Sequence, residues 1–455
     1  MGVSDSITFK ALGMFKSYNE FRNTYKLLKK SQNWTKEQLE IYQLEKLNQL
    51  LNHAYVNVPY YARIFDERGI KPSDIQSIED LNLLPILTKE IIKDNINDLK
   101  STSLPENKLE YVTTGGSTGD PMGFYYEKGV SRAQEWAFIK TLWDRVGYRF
   151  RDKCVILRGN VVKNHEKGIF WEKSFFNRWL ILSSYHLSDE NLGMYVEKIR
   201  EFDPRFIQAY PSAVTILAKY MEKKELEPFE NLKAVLCGSE NIHIWQRELV
   251  ERVLGCRVFS WYGHSERAIL AGECELSSSY HIFPEYGIFE LIDHKGNPTK
   301  DEKGIIVSTS LTNYAMPFIR YKTDDVGIIL KENKCNCGRN YPLLSTIEGR
   351  LQEYIITKNR SVVSLTALIF SQHFYSFSMI KEMQIVQEEV GKIIIKIIPE
   401  ANYSSENEDE IKSKLKNVVD DLEIDFEYVD HIQRTKTGKH KFLIQKLELD
   451  TFGYS

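Results

Sequence analysis

The stretch Tyr111-Val112-Thr113-Thr114-Gly115-Gly116-Ser117-Thr118-Gly119-Asp120-Pro121 runs from a short strand-like segment into a turn rich in hydroxyls and glycines. Glycines allow the backbone to turn tightly and bring its N–H groups onto an anion. Ser117 and Thr118 add hydroxyl donors suited to phosphate oxygens. No lysine follows Gly119, so the G-x-x-x-x-G-K-[ST] phosphate loop is absent and a P-loop NTPase is disfavoured. Alone, such a turn reads equally well as a surface loop, so its meaning depends on what surrounds it.

Working outward, alternation of strand and helix patterns predicts an α/β body. Trp34 to Arg63 has helical spacing that Val58-Pro59 interrupts, and a second polar-apolar stretch covers Ile75 to Leu99. Leu109 to Val112 reads as a strand and Ser131 to Val146 as a helix. Cys154 to Leu157, Phe206 to Tyr210, Ala234 to Leu236 and Arg257 to Ser260 are short strands separated by helical patterns. After about Tyr280 strands dominate: Gly287 to Ile292, Gly304 to Ser308 and Val326 to Leu330. The last hundred residues predict a small α+β unit, with strands at Glu382 to Val386, Lys392 to Ile398 and Ile424 to Tyr428. Ile411, Leu415, Val418 and Leu422 mark the inner face of its helix.

A chain of 455 residues exceeds a single core, so two or three units are expected. With 27% charged and 42% hydrophobic residues it falls among soluble globular proteins, and a net charge of −3 gives no reason to expect nucleic acid. There is neither a long uninterrupted apolar run nor a secretory signal, so a cytoplasmic location is expected. Ser6 to Lys30 is locally basic, with Lys10, Lys16, Arg22, Lys26, Lys29 and Lys30 among aromatic residues. A helix packed on the body with a solvated basic face is the preferred reading, and peripheral contact with an anionic membrane is the alternative.

Four further motifs follow in order. Trp261-Tyr262-Gly263-His264-Ser265-Glu266 reads as a turn after a strand, offering a ring to stack on a base and a carboxylate for Mg²⁺. Arg320-Tyr321-Lys322-Thr323-Asp324-Asp325 places a carboxylate at the start of a strand, suited to ribose hydroxyls. Gly349-Arg350-Leu351-Gln352-Glu353 lies at the junction with the small unit, and Arg434-Thr435-Lys436-Thr437-Gly438-Lys439 puts a lysine on a glycine-bearing loop. Taken singly, each has an ordinary structural explanation.

In this order, Thr114 to Pro121, Tyr262 to Glu266, Tyr321 to Asp325, Gly349-Arg350 and Thr437-Gly438-Lys439 resemble the core motifs of the adenylate-forming (acyl-CoA synthetase) superfamily. The resemblance covers about positions 35 to 445 and is strongest to the phenylacetate-CoA ligase branch and its CapK-type members, associated with capsular polysaccharide biosynthesis. It implies an N-terminal adenylation domain over 1–348, including a basic segment over 1–33, a hinge at 349–353 and a mobile C-terminal domain over 354–455. By the same resemblance, Thr114, Gly116, Ser117, Thr118 and Gly119 wrap the ATP phosphates, and Gly238, Ser239 and Glu240 form the adenine loop, with Ser239 where the family has alanine. Tyr262 and Gly263 face adenine, Glu266 ligates Mg²⁺, Asp325 holds the ribose, Arg350 lies at ribose and hinge, and Lys439 bridges the incoming carboxylate and the α-phosphate. Two departures stand out: Met122 occupies a common lysine position, and Glu353 replaces the usual hinge aspartate. Tyr210, Pro211, Trp261 and His264 are expected to line the acyl pocket.

Such a set implies an enzyme that uses ATP and Mg²⁺ to adenylate a small carboxylic acid, then passes the acyl group to CoA or to an amine or hydroxyl on a sugar-linked acceptor. The alternative is a non-catalytic nucleotide-binding or assembly protein with the same fold. The six cysteines divide into two groups. Cys154, Cys237 and Cys256 lie in or beside strands as small hydrophobes. Cys274, His281, Cys335 and Cys337 make a complete soft tetrahedral set for structural zinc, although the C-x-C spacing is tighter than usual; the alternative is a reduced and unrelated set of side chains.

Overall fold

The structure is a computed structural model; it describes residues 11–113, 122–160, 162–163, 167–174, 178–293, 295–299, 302–330, 334–348, 354–365, 368–369, 374, 376, 379–432 and 442–447. The expected phosphate loop, hinge and terminal lysine loop, including Thr114, Gly116, Ser117, Thr118, Gly119, Arg350 and Lys439, lie outside the described residues.

The chain begins with α1 (Ala11–Ser31), α2 (Lys36–Asn57), α3 (Pro59–Arg68) and α4 (Lys89–Asp94). Thr35 and Gln38 form a reciprocal capping box that starts α2. Pro59 lacks the N–H that α2 would need to continue, and its fixed φ suits the first position of α3. The preferred reading of the basic segment agrees with α1. Ser17, Leu28 and Ser31 are buried, Tyr25 bonds Asp144, and Lys16 pairs with Glu127 at 2.7 Å, while Arg22, Lys26, Lys29 and Lys30 face outward. Among the described residues no helix is long and apolar enough to cross a membrane.

The antiparallel pair β1 (Leu109–Thr113) and β2 (Gly123–Glu127) flanks residues 114–121 in sequence, and α5 (Ser131–Asp144) follows. Next come β3 (Cys154–Leu157), β4 (Trp171–Ser174), β5 (Trp179–Leu182), α6 (Asp189–Phe202), β6 (Phe206–Ala209), α7 (Pro211–Lys223), β7 (Ala234–Cys237), α8 (Ile244–Leu254) and β8 (Arg257–Gly263). Strands β5, β3, β6, β7 and β8 pair in parallel. Their central members are four-residue runs, apolar except for Gln208, buried throughout, as strands covered on both faces must be.

The antiparallel part comprises β9 (Leu270–Gly272), β10 (Tyr280–Ile282), β11 (Gly287–Ile292), β12 (Lys303–Ser310), β13 (Tyr321–Ile329) and β14 (Leu343–Glu348). Both parts belong to one twelve-stranded sheet in the order β11-β12-β13-β14-β10-β9-β8-β7-β6-β3-β5-β4. Strand β8 joins them: Arg257 to Ser260 pair in parallel with β7, and Trp261 to Gly263 pair antiparallel with β9. Two expectations are thereby corrected. Trp261-Tyr262-Gly263 is strand rather than turn, because β9 supplies backbone partners that sequence periodicity does not reveal. Asp325 lies inside β13 rather than at its start, because β12 and the segment at Leu87 pair with β13 from Tyr321 onward.

The C-terminal unit holds β15 (Tyr354–Ile356), β16 (Val362–Ser364), β17 (Ile380–Glu389), β18 (Lys392–Pro399), α9 (Ser405–Lys416), β19 (Glu423–Tyr428) and β20 (Leu443–Gln445). Its separate four-stranded sheet runs β19-β18-β17-β20. Ile385, Ile393, Ile395 and Ile397 from the sheet meet Ile411 and Leu415 from α9, all fully buried. Val418 and Leu422 are also buried but follow the end of α9, so the predicted apolar face outlasts the helix.

Candidate active site and metal centre

Four parallel strands end in register. Leu157 pairs with Ala209, Ala209 with Cys237, and Cys237 with Ser260. The next residues are Arg158, Tyr210, Gly238 and Trp261, so these four form one row where the parallel pairing ends, Trp261 continuing β8 into its pairing with β9. Ligands of open α/β sheets bind there. A Cβ on Gly238 would lie 2.5 Å from the Trp261 indole, so glycine is required for the loop to cross that ring. Ser239 has φ of +71°, a left-handed conformation unusual for serine, and its hydroxyl accepts from Arg158 Nη2 at 2.6 Å. Its side chain therefore makes a contact that an alanine cannot. Glu240 accepts from Ser212 N–H at 3.0 Å and Ser212 Oγ at 3.1 Å. The carboxylate thus caps α7, whose first residue is the buried Pro211.

On the antiparallel side, Tyr262 donates its hydroxyl to Asp325 Oδ2 at 2.7 Å. Burial and the adjacent carboxylate hold the Tyr262 phenol well above its usual range, so it remains a donor. Thr323 Oγ1 accepts from the Asp325 N–H at 3.2 Å and donates to Ile306 carbonyl at 3.0 Å, pinning the carboxylate-bearing stretch of β13. Glu266 is only 7% exposed. Tyr321 donates to its Oε1 at 2.7 Å, and His264 Nδ1 lies 3.3 Å from Oε2. Burial alone would raise the Glu266 pKa, but His264, Lys89 and the Tyr321 hydroxyl outweigh it and hold the value at about 2. Tyr262, His264, Glu266, Tyr321 and Asp325 are therefore one polar cluster. Gly263 leaves room beside Leu270, whose Cδ1 would meet a Cβ at 2.9 Å.

Lys89 and Arg158 were not singled out from sequence. Lys89, 7% exposed, follows the short parallel bridge of Leu87 with Tyr321, where Leu87 N–H donates to Arg320 O at 2.9 Å and Leu87 O accepts from Lys322 N–H at 3.0 Å. That bridge brings Lys89 to Glu266, and nothing local to Lys89 encodes it. Arg158 had a usable signal: it directly follows the strand Cys154 to Leu157.

The Cys274, His281, Cys335 and Cys337 ligand atoms all lie within 4.8 Å of one another. Cys274 Sγ is 3.6 Å from Cys335 Sγ, too far for a disulfide, and Cys337 Sγ is 3.2 Å from His281 Nε2. Tetrahedral zinc with bonds of roughly 2.0–2.3 Å sets ligand atoms ~3.5–3.8 Å apart, so the spacing fits. His281 Nδ1 lies 3.1 Å from Ser279 O and donates to it, leaving Nε2 toward the sulfurs. Burial and nearby Arg145 and Arg339 lower the His281 pKa to about 4, keeping that lone pair free of a proton. The Leu276 N–H points at Cys274 Sγ at 3.3 Å, and Gly338 (φ +81°) closes a turn onto Cys335 O at 3.3 Å. Cys154 and Cys237 are fully buried, as expected of small hydrophobes, whereas Cys256 is only partly buried.

The fold matches solved adenylate-forming ligases: 2-hydroxyisobutyryl-CoA ligase in complex with 2-HIB-AMP and CoA aligns with a TM-score of 0.59 and 18% identity, covering 93% of each chain. The same enzyme in its postadenylation state, in complex with R3-HIB-AMP, gives 0.58 over 93% of this chain and 92% of that one, at 18% identity. The chain thus has the fold of the adenylate-forming CoA ligases. Within that class its homologues are Protein CapK of Staphylococcus aureus and phenylacetate-coenzyme A ligases. CapK is 24% identical over 413 residues, 89% of each chain. The ligase of Escherichia coli is 28% identical over 335 residues, 72% of this chain and 74% of the relative. The Thermus thermophilus ligase is 27% identical over 347 residues, 72% and 74% respectively. Residues 355–446 match the CapK C-terminal domain family.

Proposed function

We propose that this protein is an ATP- and magnesium-dependent ligase that adenylates a carboxylic acid, releases pyrophosphate and transfers the acyl group to CoA. The observation that carries the reading is the Tyr262–Asp325 hydrogen bond beside the ionised, buried Glu266. A ring, a ribose-type acceptor and a magnesium-type carboxylate are fixed together at the junction of the two halves of the sheet. Relatives named as phenylacetate-CoA ligases, and a structural neighbour holding an acyl adenylate and CoA, support the same chemistry.

In this reading Tyr262 stacks on adenine and Asp325 takes the ribose hydroxyls. Glu266 holds Mg²⁺, which when bound offsets charge on the phosphates. Gly238 and Ser239 carry adenine on a loop tied down by Arg158, while Glu240 fixes that loop to α7. Thr114, Gly116, Ser117, Thr118 and Gly119 wrap the phosphates. A carboxylate oxygen attacks the α-phosphorus, the bond to the bridging oxygen breaks, and pyrophosphate leaves with that electron pair. Lys439, on a C-terminal domain over 354–455 turning about 349–353, neutralises the approaching anions. Arg350 contacts ribose at that junction. The thiol of CoA then displaces AMP at the acyl carbon. Cys274, His281, Cys335 and Cys337 would hold a structural zinc, three thiolates and one imidazole supplying four ligands and so leaving the metal a structural rather than a catalytic role.

Incubation with ATP, Mg²⁺, CoA and a panel of carboxylic acids, read by mass spectrometry, tests this. Acid-dependent AMP together with an acyl-CoA is expected. Acid-dependent AMP whose acyl group appears only on an added amino sugar would replace CoA as acceptor. Nucleotide binding without AMP from any acid would favour a non-catalytic nucleotide-binding role.

A further inference from the structure

We propose that Arg158 binds a second carboxylate on the acid that this site activates, so that the substrate is a dicarboxylic acid rather than a simple alkyl or aryl monoacid. The inference rests on the ligase reading above and specifies its substrate class. Arg158 begins the loop after β3 and shares the strand-end row with Tyr210, Gly238 and Trp261. It is 7% exposed. Its guanidinium carbon lies 5.2 Å from the Tyr210 ring centroid and 6.0 Å from that of Trp261, so two aromatic rings of the expected acyl pocket hold the cation.

Among the described residues Arg158 has no counter-charge. No carboxylate among them lies within 4.0 Å of it; its polar contacts are the neutral hydroxyls of Ser239 and Tyr210, and buried Nε has no partner. Two other buried arginines have a carboxylate, Arg320 with Glu290 at 2.9 Å and Arg267 with Glu135 at 3.7 Å, whereas Arg145 donates only to the Gly272 and Glu273 carbonyls. Glu240 is engaged by Ser212 instead. A guanidinium removed from water without an anion is costly, and a substrate carboxylate supplies the missing partner in a geometry arginine favours.

Position separates this anion from the reacting one. The Arg158 backbone lies three strands from β8, whose end leads to Glu266, and its guanidinium reaches back to 6.0 Å from the Trp261 ring centroid on β8. The reacting carboxylate must meet the α-phosphate at the Glu266 end, so the second carboxylate is the one left for Arg158, on the β3 side of Trp261.

Matched pairs test this: adipate against hexanoate, suberate against octanoate, and 1,4-phenylenediacetate against phenylacetate. Binding is measured by calorimetry with a non-hydrolysable ATP analogue present, for wild type, R158M and R158K, after circular dichroism has confirmed folding. In at least one pair the wild type should prefer the dicarboxylate by about 10- to 100-fold, R158M should erase the preference, and R158K should restore part of it. Equal or weaker binding of every dicarboxylate, absence of dicarboxylate binding, or a preference that survives in R158M would overturn the inference. Pyrophosphate exchange on the preferred acid separates the two readings. Preference without exchange contradicts the ligase while Arg158 recognition stands, and exchange with monoacids alone contradicts only the role of Arg158.

Discussion

Tyr262 and Asp325 show how a single hydrogen bond can orient a site. The phenol donates at 2.7 Å to a carboxylate that the proposed ribose hydroxyls would share. Tyr262→Phe keeps the ring and removes one charge-assisted bond, so ATP binding should weaken by about 1–2 kcal/mol. Asp325→Ala also removes the ribose acceptor and should weaken ATP at least ~10-fold without lowering the unfolding temperature of the small C-terminal unit. Calorimetric ATP titration checks both, and wild-type affinity in Asp325→Ala would remove Asp325 from the site. These two residues were legible in sequence because each belongs to a motif. Lys89 was not, since only the pairing of Leu87 with Tyr321 brings it to Glu266. Ser239 was read as a tolerated alanine substitute, whereas its hydroxyl ties the loop to Arg158.

Strand β8 decides the arrangement of elements, because the same strand closes the parallel half and opens the antiparallel half. The buried parallel strands β3, β6, β7 and β8 were legible as short, mainly apolar runs between helical patterns, whereas β5 was not. Three-residue β9 and β10 were not, since so few residues carry no periodicity and both exist through pairing with β8 and β14. Gly238→Ala should drive a methyl into the Trp261 indole, costing about 1–3 kcal/mol of stability; chemical denaturation measures it, and a change below ~0.5 kcal/mol would mean the loop yields freely. Helix α2 carries a pH-sensitive contact. His53 Nε2 donates to Tyr314 O at 3.0 Å, and Asn57 Nδ2 approaches Nδ1 at 3.3 Å. Burial lowers the His53 pKa from 6.5, opposed only in part by the Tyr314 carbonyl. Below that pH the unfolded chain takes up a proton that the folded ring resists, so stability falls on acidification. His53→Gln should flatten the decline in unfolding free energy from about pH 7 to about pH 5, and an unchanged slope would assign the decline to other groups.

The whole molecule combines a twelve-stranded sheet carrying the candidate site, a Cys/His cluster on the β9–β10 connection, β10 and the β13–β14 connection, and a C-terminal unit. The Cys/His set was legible as residue types, but not its closure, because 53 residues separate His281 from Cys335 and they meet through pairing of β10 with β14. Cys335→Ser should lower zinc from near one per chain to below ~0.2 and reduce the unfolding temperature, as expected where metal binding and folding are coupled. Untagged wild type already below ~0.2 zinc per chain would contradict a zinc centre. The central claim is carboxylate activation, tested most directly by acid-dependent exchange of labelled pyrophosphate into ATP without any acceptor. Exchange with at least one carboxylic acid, reduced by about 10²–10³ in Lys439→Ala while ATP still binds, is the predicted result. No exchange across aryl, alkyl, amino, uronic and dicarboxylic acids, with ATP binding intact, would contradict it.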